Sequence, residues 1–187
     1  MSDPWVEAEF ESIFREHYPR IVRVTRRVLQ RDSEAEEVCA EVFLRLYRSG
    51  PGVAAGGLVG GWLYRTATRA SIDALRANQR RGTEEELEGE DAVKGGSLAE
   101  GPLTLLLRQE CIVEVRQVLA KLKIEKAQIL LLRHSGLSYQ EIADVMQLSP
   151  NSVGKKLARA EGEFSALYNR HQQRSRRASQ LQATKEG

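Results

Sequence analysis

The stretch "LSYQEIADVMQLSPNSVGKKLARAEGEF", Leu137 to Phe164, decides how the second half of the chain is read. Ser138 followed by Glu141 is a reciprocal cap, in which a hydroxyl and a carboxylate satisfy orphan amides of a first helical turn. A second helix start follows at Ser149 and Pro150, because serine suits an N-cap and proline at the first position gives up an N–H that had no partner. The spacing predicts two helices around a turn of about three residues, a helix-turn-helix. At about 100° per residue the second helix gathers Val153, Leu157, Ala160 and Phe164 on one arc, and Asn151, Ser152, Lys155, Lys156 and Arg159 on another. Any surface helix has an apolar stripe and a charged face, so amphipathicity alone fits a structural hairpin equally well. The small Ala143, the matching Val153 and the lack of an acid among the five outward residues favour DNA. Asparagine can bind adenine bidentately and lysine can bind guanine in a major groove. Gln147 sits where such turns often place glycine, and Glu161 and Glu163 confine any groove contact to the helix start.

Outward from this stretch, 187 residues with ordinary hydrophobic and charged fractions allow one or two small domains with cores. The net charge of +2 hides a segregation. Residues 1–81 hold 13 basic against 11 acidic residues, 82–101 hold 1 against 7, and 102–187 hold 14 against 8. The acidic stretch "GTEEELEGEDAVKGGSLAEG" is rich in glycine and reads as a flexible linker. Helical periodicity on both sides, without alternating strand-like runs, predicts an all-α protein of two small helical domains, 1–81 and 102–169, the second containing the helix-turn-helix. Residues 170–187 are polar and basic and read as a frayed tail.

Cys39 and Cys111 lack partners at zinc-ligand spacing and are expected to fill helix cores. His17, His134 and His171 are isolated, and no catalytic grouping, metal-binding cluster or cofactor motif can be picked out, so no catalytic residue, metal or cofactor is expected. No apolar run approaches 18 residues and no cleavable signal is present, which argues against membrane insertion and makes the cytoplasm the expected compartment.

In the first half, helices are expected near 6–16, 19–30, 33–49 and 61–80. The third begins with a second Ser/Glu pair, Ser33 and Glu36, and turns Ala35, Val38, Cys39, Val42 and Leu46 inward. Leu44 projects the other way, beside Ala40, Glu37 and Glu41; it is either an ordinary exposed leucine or an apolar contact ringed by acids and suited to a basic groove. The fourth helix, "GWLYRTATRASIDALRANQRR", carries Arg65, Arg69, Arg76 and Arg80 in a row headed by Trp62, with Ala67, Ala70 and Ala74 opposite. Four arginines can form a solvated face, but an aromatic at the head of a cationic row also suits single-stranded nucleic acid. The preceding "SGPGVAAGGLVGG", 49–61, is expected to be a mobile loop.

These segments, in order "FESIFREHYPRIVRVTRRVL", "AEEVCAEVFLRLYR", "GWLYRTATRASIDALR", the acidic linker and "LLLRHSGLSYQEIADVMQLSPNSVGKKLARA", resemble an RNA polymerase sigma factor of the small extracytoplasmic-function type over nearly all of residues 10–168. The resemblance implies no enzyme activity. It implies binding to core polymerase and promoter DNA, and relatives are often held inactive by an anti-sigma protein. Carried over, the polymerase contact falls on 34–45, with Glu34, Glu37, Glu41, Leu44 and Arg45. The minus-ten element falls on the 49–61 loop and on Trp62, Arg65, Arg69, Arg76 and Arg80; the minus-thirty-five element falls on Asn151, Ser152, Lys155, Lys156 and Arg159. Arg69 replaces an asparagine common in relatives, the loop is poorer in aromatics, and Gly154 and Glu161 stand where relatives often have basic residues. Two other readings fit the same residues: a stand-alone regulator binding a symmetric operator, and an interaction protein of sigma-like shape that no longer initiates.

Overall fold

The computed structural model describes residues 7–53, 59–81 and 102–183. These form seven α-helices and one short 3-10 turn: α1 (Glu7–Val28), α2 (Asp32–Ser49), the turn Pro51–Val53, α3 (Val59–Arg81), α4 (Pro102–Lys121), α5 (Ile124–His134), α6 (Tyr139–Met146) and α7 (Pro150–Ala183). Among the described residues the fold is all-α, as expected; the acidic linker lies outside them.

Several boundaries differ from the periodicity reading. A break was expected before Pro19, yet α1 is one helix with Pro19 inside it. The apolar face continues across the proline, with Phe14 and Tyr18 on one side and Ile21, Val24 and Val28 on the other. That burial offsets the roughly 3 kcal/mol that an internal proline costs a helix. Rings from α1 and α2 interlock here: Phe14 stacks on Tyr18 at 4.7 Å between centroids and meets Phe43 edge-on at 4.8 Å. At α2 the Ser33–Glu36 pair does not form a cap. The helix starts at Asp32 behind Arg31, with no side-chain cap, and Glu36 instead accepts from Arg26 at 2.7 Å. Gly60 and Gly61, read as loop, belong to the first turn of α3. A Cβ on Gly60 would lie 3.1 Å from the His17 ring, so this glycine lets α1 approach closely, whereas one on Gly61 would make only an ordinary contact, 3.7 Å from the Val145 backbone of α6.

Helix α3 is the hub. One side of it completes a core with α1 and α2, built from Ile21, Cys39, Val42, Phe43, Leu46, Leu63 and Ala67. The other side enters a second core in which Val28, Leu29, Ala35, Ile72 and Leu75 meet Leu119, Leu122, Leu132, Ile142, Val145 and Val153. The two halves are therefore packed against each other rather than merely tethered. Hydrogen bonds seal the seam at places where helices end. Arg76 of α3 donates to the carbonyls of Ala120 (3.1 Å) and Leu122 (2.7 Å) at the end of α4. Arg116 of α4 donates to Leu29 just past α1 (2.7 Å), and Arg27 of α1 to His134, the last residue of α5. Terminal carbonyls have no partner within their own helix and carry the negative end of its dipole, so a guanidinium from the opposite half suits them. Gln128 of α5 donates to Thr68 and to the Arg65 carbonyl, extending the seam along α3.

Two further expectations are corrected. Cys39 is buried, where desolvation pushes its thiol up to about 12, but Cys111 is exposed on α4. The supposed tail does not fray at residue 170: α7 continues to Ala183, and Tyr168 and Gln172 both donate to Glu114 of α4, at 3.1 and 2.5 Å.

Replacing Ile72, fully buried at the seam, by alanine is expected to lower unfolding stability by about 2–5 kcal/mol. Urea titration followed by circular dichroism measures it, and a loss under about 1 kcal/mol would mean that the seam contributes little.

Candidate nucleic-acid interface

The pair α6–α7 forms the expected helix-turn-helix. The Ser138 hydroxyl accepts from the Glu141 N–H at 3.3 Å, while Glu141 Oε2 accepts from the Ser138 hydroxyl and N–H, both at 2.7 Å. These bonds from Ser138 hold the Glu141 carboxyl below its usual range, so the cap contributes stability above ordinary carboxylate pKa values and loses it as pH falls through the lowered one. The turn is left-handed at Gln147 (φ 54°, ψ 50°), and Leu148 N–H reaches back to the Ala143 carbonyl at 2.8 Å, closing the helix end. Ala143, Val153, Leu157 and Ala160 are buried and Phe164 is half-buried, so the inward arc of α7 is the one its periodicity indicated.

Asn151, Lys155, Lys156 and Arg159 stand exposed on the outward arc. Ser152 is half-buried, and its hydroxyl donates to the Ser149 carbonyl at 2.8 Å. Two neighbours escaped the sequence reading. The Arg133 guanidinium lies 5.4 Å over the exposed Tyr139 ring, and that ring edge would stand 3.5 Å from a Cβ on Gly154. They border the start of α7 from another element. No helical wheel places them, because the contact crosses the turn.

The arginine row on α3 is divided by the seam. Arg69 and Arg80 are exposed, whereas Arg65 is half-buried beside Gln128, which bonds its carbonyl. Arg76 is committed to the end of α4 and lies 3.7 Å from Asp73. Trp62, at the head of the row, is half-buried against the first core. Of the preceding loop, 54–58 lies outside the described residues, and Pro51–Val53 forms a single 3-10 turn.

On α2, Leu44 keeps 45 % of its surface and Tyr47, one turn on, keeps 50 %. The Tyr47 ring leans edge-on against Phe10 at 5.1 Å, which holds it upright beside Leu44. Glu37 and Glu41 are exposed, Arg45 pairs with Glu41, and Glu34 is half-buried, accepting from Asn78 of α3 at 2.8 Å. Tyr47 was missed although it lies 60° from Leu44 on the same wheel; two exposed large apolar residues make a patch where one does not. Among the described residues, no group of His, Cys, Asp or Glu could hold a metal ion, and no helix is long and apolar enough to cross a membrane.

Comparison with known proteins places the chain in a family. Residues 13–81 match Sigma-70 region 2, and residues 112–162 match Sigma-70, region 4. The RNA polymerase sigma-H factor of Pseudomonas aeruginosa is 29 % identical over 157 residues, covering 81 % of each chain. The ECF RNA polymerase sigma-E factor of Escherichia coli K12 is 29 % identical over 133 residues, covering 68 % of this chain and 70 % of that protein. In fold, the chain is similar to the sigma factor RpoE, solved in complex with the anti-sigma factor NepR from Bartonella quintana, with a TM-score of 0.53, 14 % identity and coverage of 86 % and 97 %.

The left-handed Gln147 tests the geometry of the turn. A side chain in that region costs roughly 1–2 kcal/mol, part of which glycine returns through its greater freedom when unfolded. Gln147→Gly is expected to stabilise the protein by about 0.5–1 kcal/mol, a rise in Tm of roughly 1–3 °C by calorimetry. A fall in Tm would place the residue outside the left-handed region.

Proposed function

The chain belongs to the sigma-70 family, as a sigma factor of the ECF type without chemistry of its own, and on that premise we propose which of its surfaces meet which partner. Core polymerase docks on α2 through Leu44 and Tyr47, with Glu34, Glu37, Glu41 and Arg45 as the charged rim. The minus-thirty-five element is read by Asn151, Ser152, Lys155, Lys156 and Arg159, bordered by Arg133. The single observation supporting this most strongly is the open cationic face of α7 behind a capped and tightly closed turn. Asn151 and the lysines there can reach base edges, while Arg159 meets phosphate.

The minus-ten element is assigned to Trp62, Arg65, Arg69, Arg76 and Arg80. Melting costs on the order of 1.4 kcal/mol per base-pair step, and stacking on Trp62 with guanidinium contacts to the displaced strand would offset part of it. This assignment requires the halves to part. Elements about 25 base pairs apart are separated by roughly 85 Å at 3.4 Å per step, whereas in the packed structure the start of α3 lies against α6 of the helix-turn-helix, a Cβ on Gly61 standing 3.7 Å from the Val145 backbone. The twenty residues of 82–101 reach about 70 Å when extended, enough to let the two domains stand apart on one promoter. Opening would also free Arg76 from the α4 carbonyls and return it to the row on α3. Polymerase thus acts as the splint that holds the parted domains at promoter spacing, and the joined modules then gain from effective concentration. The action belongs in the cytoplasm, where polymerase works. An anti-sigma protein, of the kind bound by the similar RpoE, would act by covering the α2 patch or the α7 face.

Three experiments test these assignments. Lys155→Ala with Lys156→Ala should reduce promoter affinity of the reconstituted holoenzyme by roughly ten- to a hundredfold, with core binding unchanged; loss of both activities would make the helix face structural. Leu44→Asp should weaken core binding while moving Tm by less than a few degrees, and a large drop in Tm would mean that Leu44 is a packing residue. Dyes on α2 and on the far end of α7 should lose energy transfer when core polymerase is added. Unchanged transfer would rule out the parting of the halves.

A further inference from the structure

The basic residues beyond position 169 remain unaccounted for by promoter reading at the helix start. Because α7 is continuous to Ala183, their directions follow from those of the first turns. At 100° per residue, Arg170, Arg174 and Arg177 fall on the same arc as Ser152, Lys155, Lys156 and Arg159. All three arginines are exposed, and none forms an ion pair with a described residue; Arg170 Nε donates only to the Ala166 carbonyl of its own helix, at 3.1 Å. Between the two basic groups this arc carries Gly162, Glu163, Ala166 and Asn169. Its one acid, Glu163, is held by Lys126 of α5, so no free negative charge interrupts the face.

We propose that α7 contacts DNA twice: at base edges with its first three turns, and at phosphates flanking the minus-thirty-five element with Arg170, Arg174 and Arg177. The inference rests on the assignment of the α7 start to that element. From Asn151 to Arg159 the helix rises about 12 Å, which matches the width of a major groove. Arg170 lies about 16 Å beyond Arg159, past the strand that bounds the groove, where a cation meets backbone rather than bases. The anchoring of Tyr168 and Gln172 on Glu114 keeps the helix straight on α4 up to the start of this second group. A flexible basic tail would gain the same charge but lose conformational entropy on binding; a preformed helix avoids most of that cost.

The test uses holoenzyme reconstituted from the full chain and bacterial core polymerase, with a duplex that this holoenzyme enriches from a random-sequence library. Arg170→Gln, Arg174→Gln and Arg177→Gln together should lower the salt slope of log affinity by up to about 2.7, so that the affinity lost between 50 and 200 mM salt shrinks by up to about fortyfold. Hydroxyl-radical protection should disappear at one edge of the minus-thirty-five footprint and persist at its centre. The triple lysine variant should restore both. An unchanged slope overturns the proposal, and so does a reduced slope with an unaltered footprint, since the arginines would then act on polymerase or another polyanion. The Lys155/Lys156 alanine variant, measured alongside, keeps the two ideas apart. If it alone abolishes central protection, the helix start reads the element whatever the arginines do; if central protection survives it, the assignment of that start fails.

Discussion

Helix α3 has to serve two neighbours, and the rest of the architecture follows from how it does so. Its Leu63 and Ala67 side belongs to a core with α1 and α2, while Ile72 and Leu75 belong to a core with the helices that follow the linker. Where α1, α4 and α5 end, their carbonyls face the opposite half, and Arg116, Arg76 and Arg27 supply the missing donors. Arg116 is the costliest of these. It is 8 % exposed, burial pulls its basicity down, and its Nε has no partner among the described residues, yet a guanidinium cannot shed its charge within a protein. The Leu29 carbonyl at a helix terminus and the charge of Glu34, which favours the ionised form, together compensate such a group.

That seam links structure to function through one residue set. The arginines suited to displaced single-stranded DNA lie on the helix that the C-terminal half packs against, so the closed arrangement uses Arg76 internally and leaves Arg69 and Arg80 outside. The helix-turn-helix points its Asn151 to Arg159 face away from the seam and remains open. On the proposed assignments, such an arrangement presents the minus-thirty-five face freely and withholds part of the minus-ten face. Unassisted binding would then rest on a handful of cationic contacts, which gives weak, salt-sensitive, largely sequence-blind affinity.

Legibility in the sequence tracked how local each interaction is. The Ser138–Glu141 cap and the buried row Val153, Leu157, Ala160 were readable because both depend on residues three or four apart. The Ser33–Glu36 pair has the same pattern and fails, because Arg26, ten residues upstream of Glu36, competes for the carboxylate. Pro19 misled for a related reason: a local breaker was overridden by an aromatic cluster whose members come from two helices. Gly60 reads as loop composition, although its small size is what lets the His17 ring approach α3.

The helical class, the inward arcs of α2 and α7 and the existence of a cationic helix start behind a capped turn were determined by the sequence alone, since periodicity and caps are written in neighbouring residues. Which cations are free was decided only by tertiary structure. Arg69 and Arg76 lie on the same row of α3, seven residues apart, and a helical wheel treats them alike. One faces solvent, while the other donates to carbonyls 44 and 46 residues further along the chain, because that is where another helix happens to end. Azimuth is a property of a helix, whereas the partner at that azimuth belongs to the packed fold.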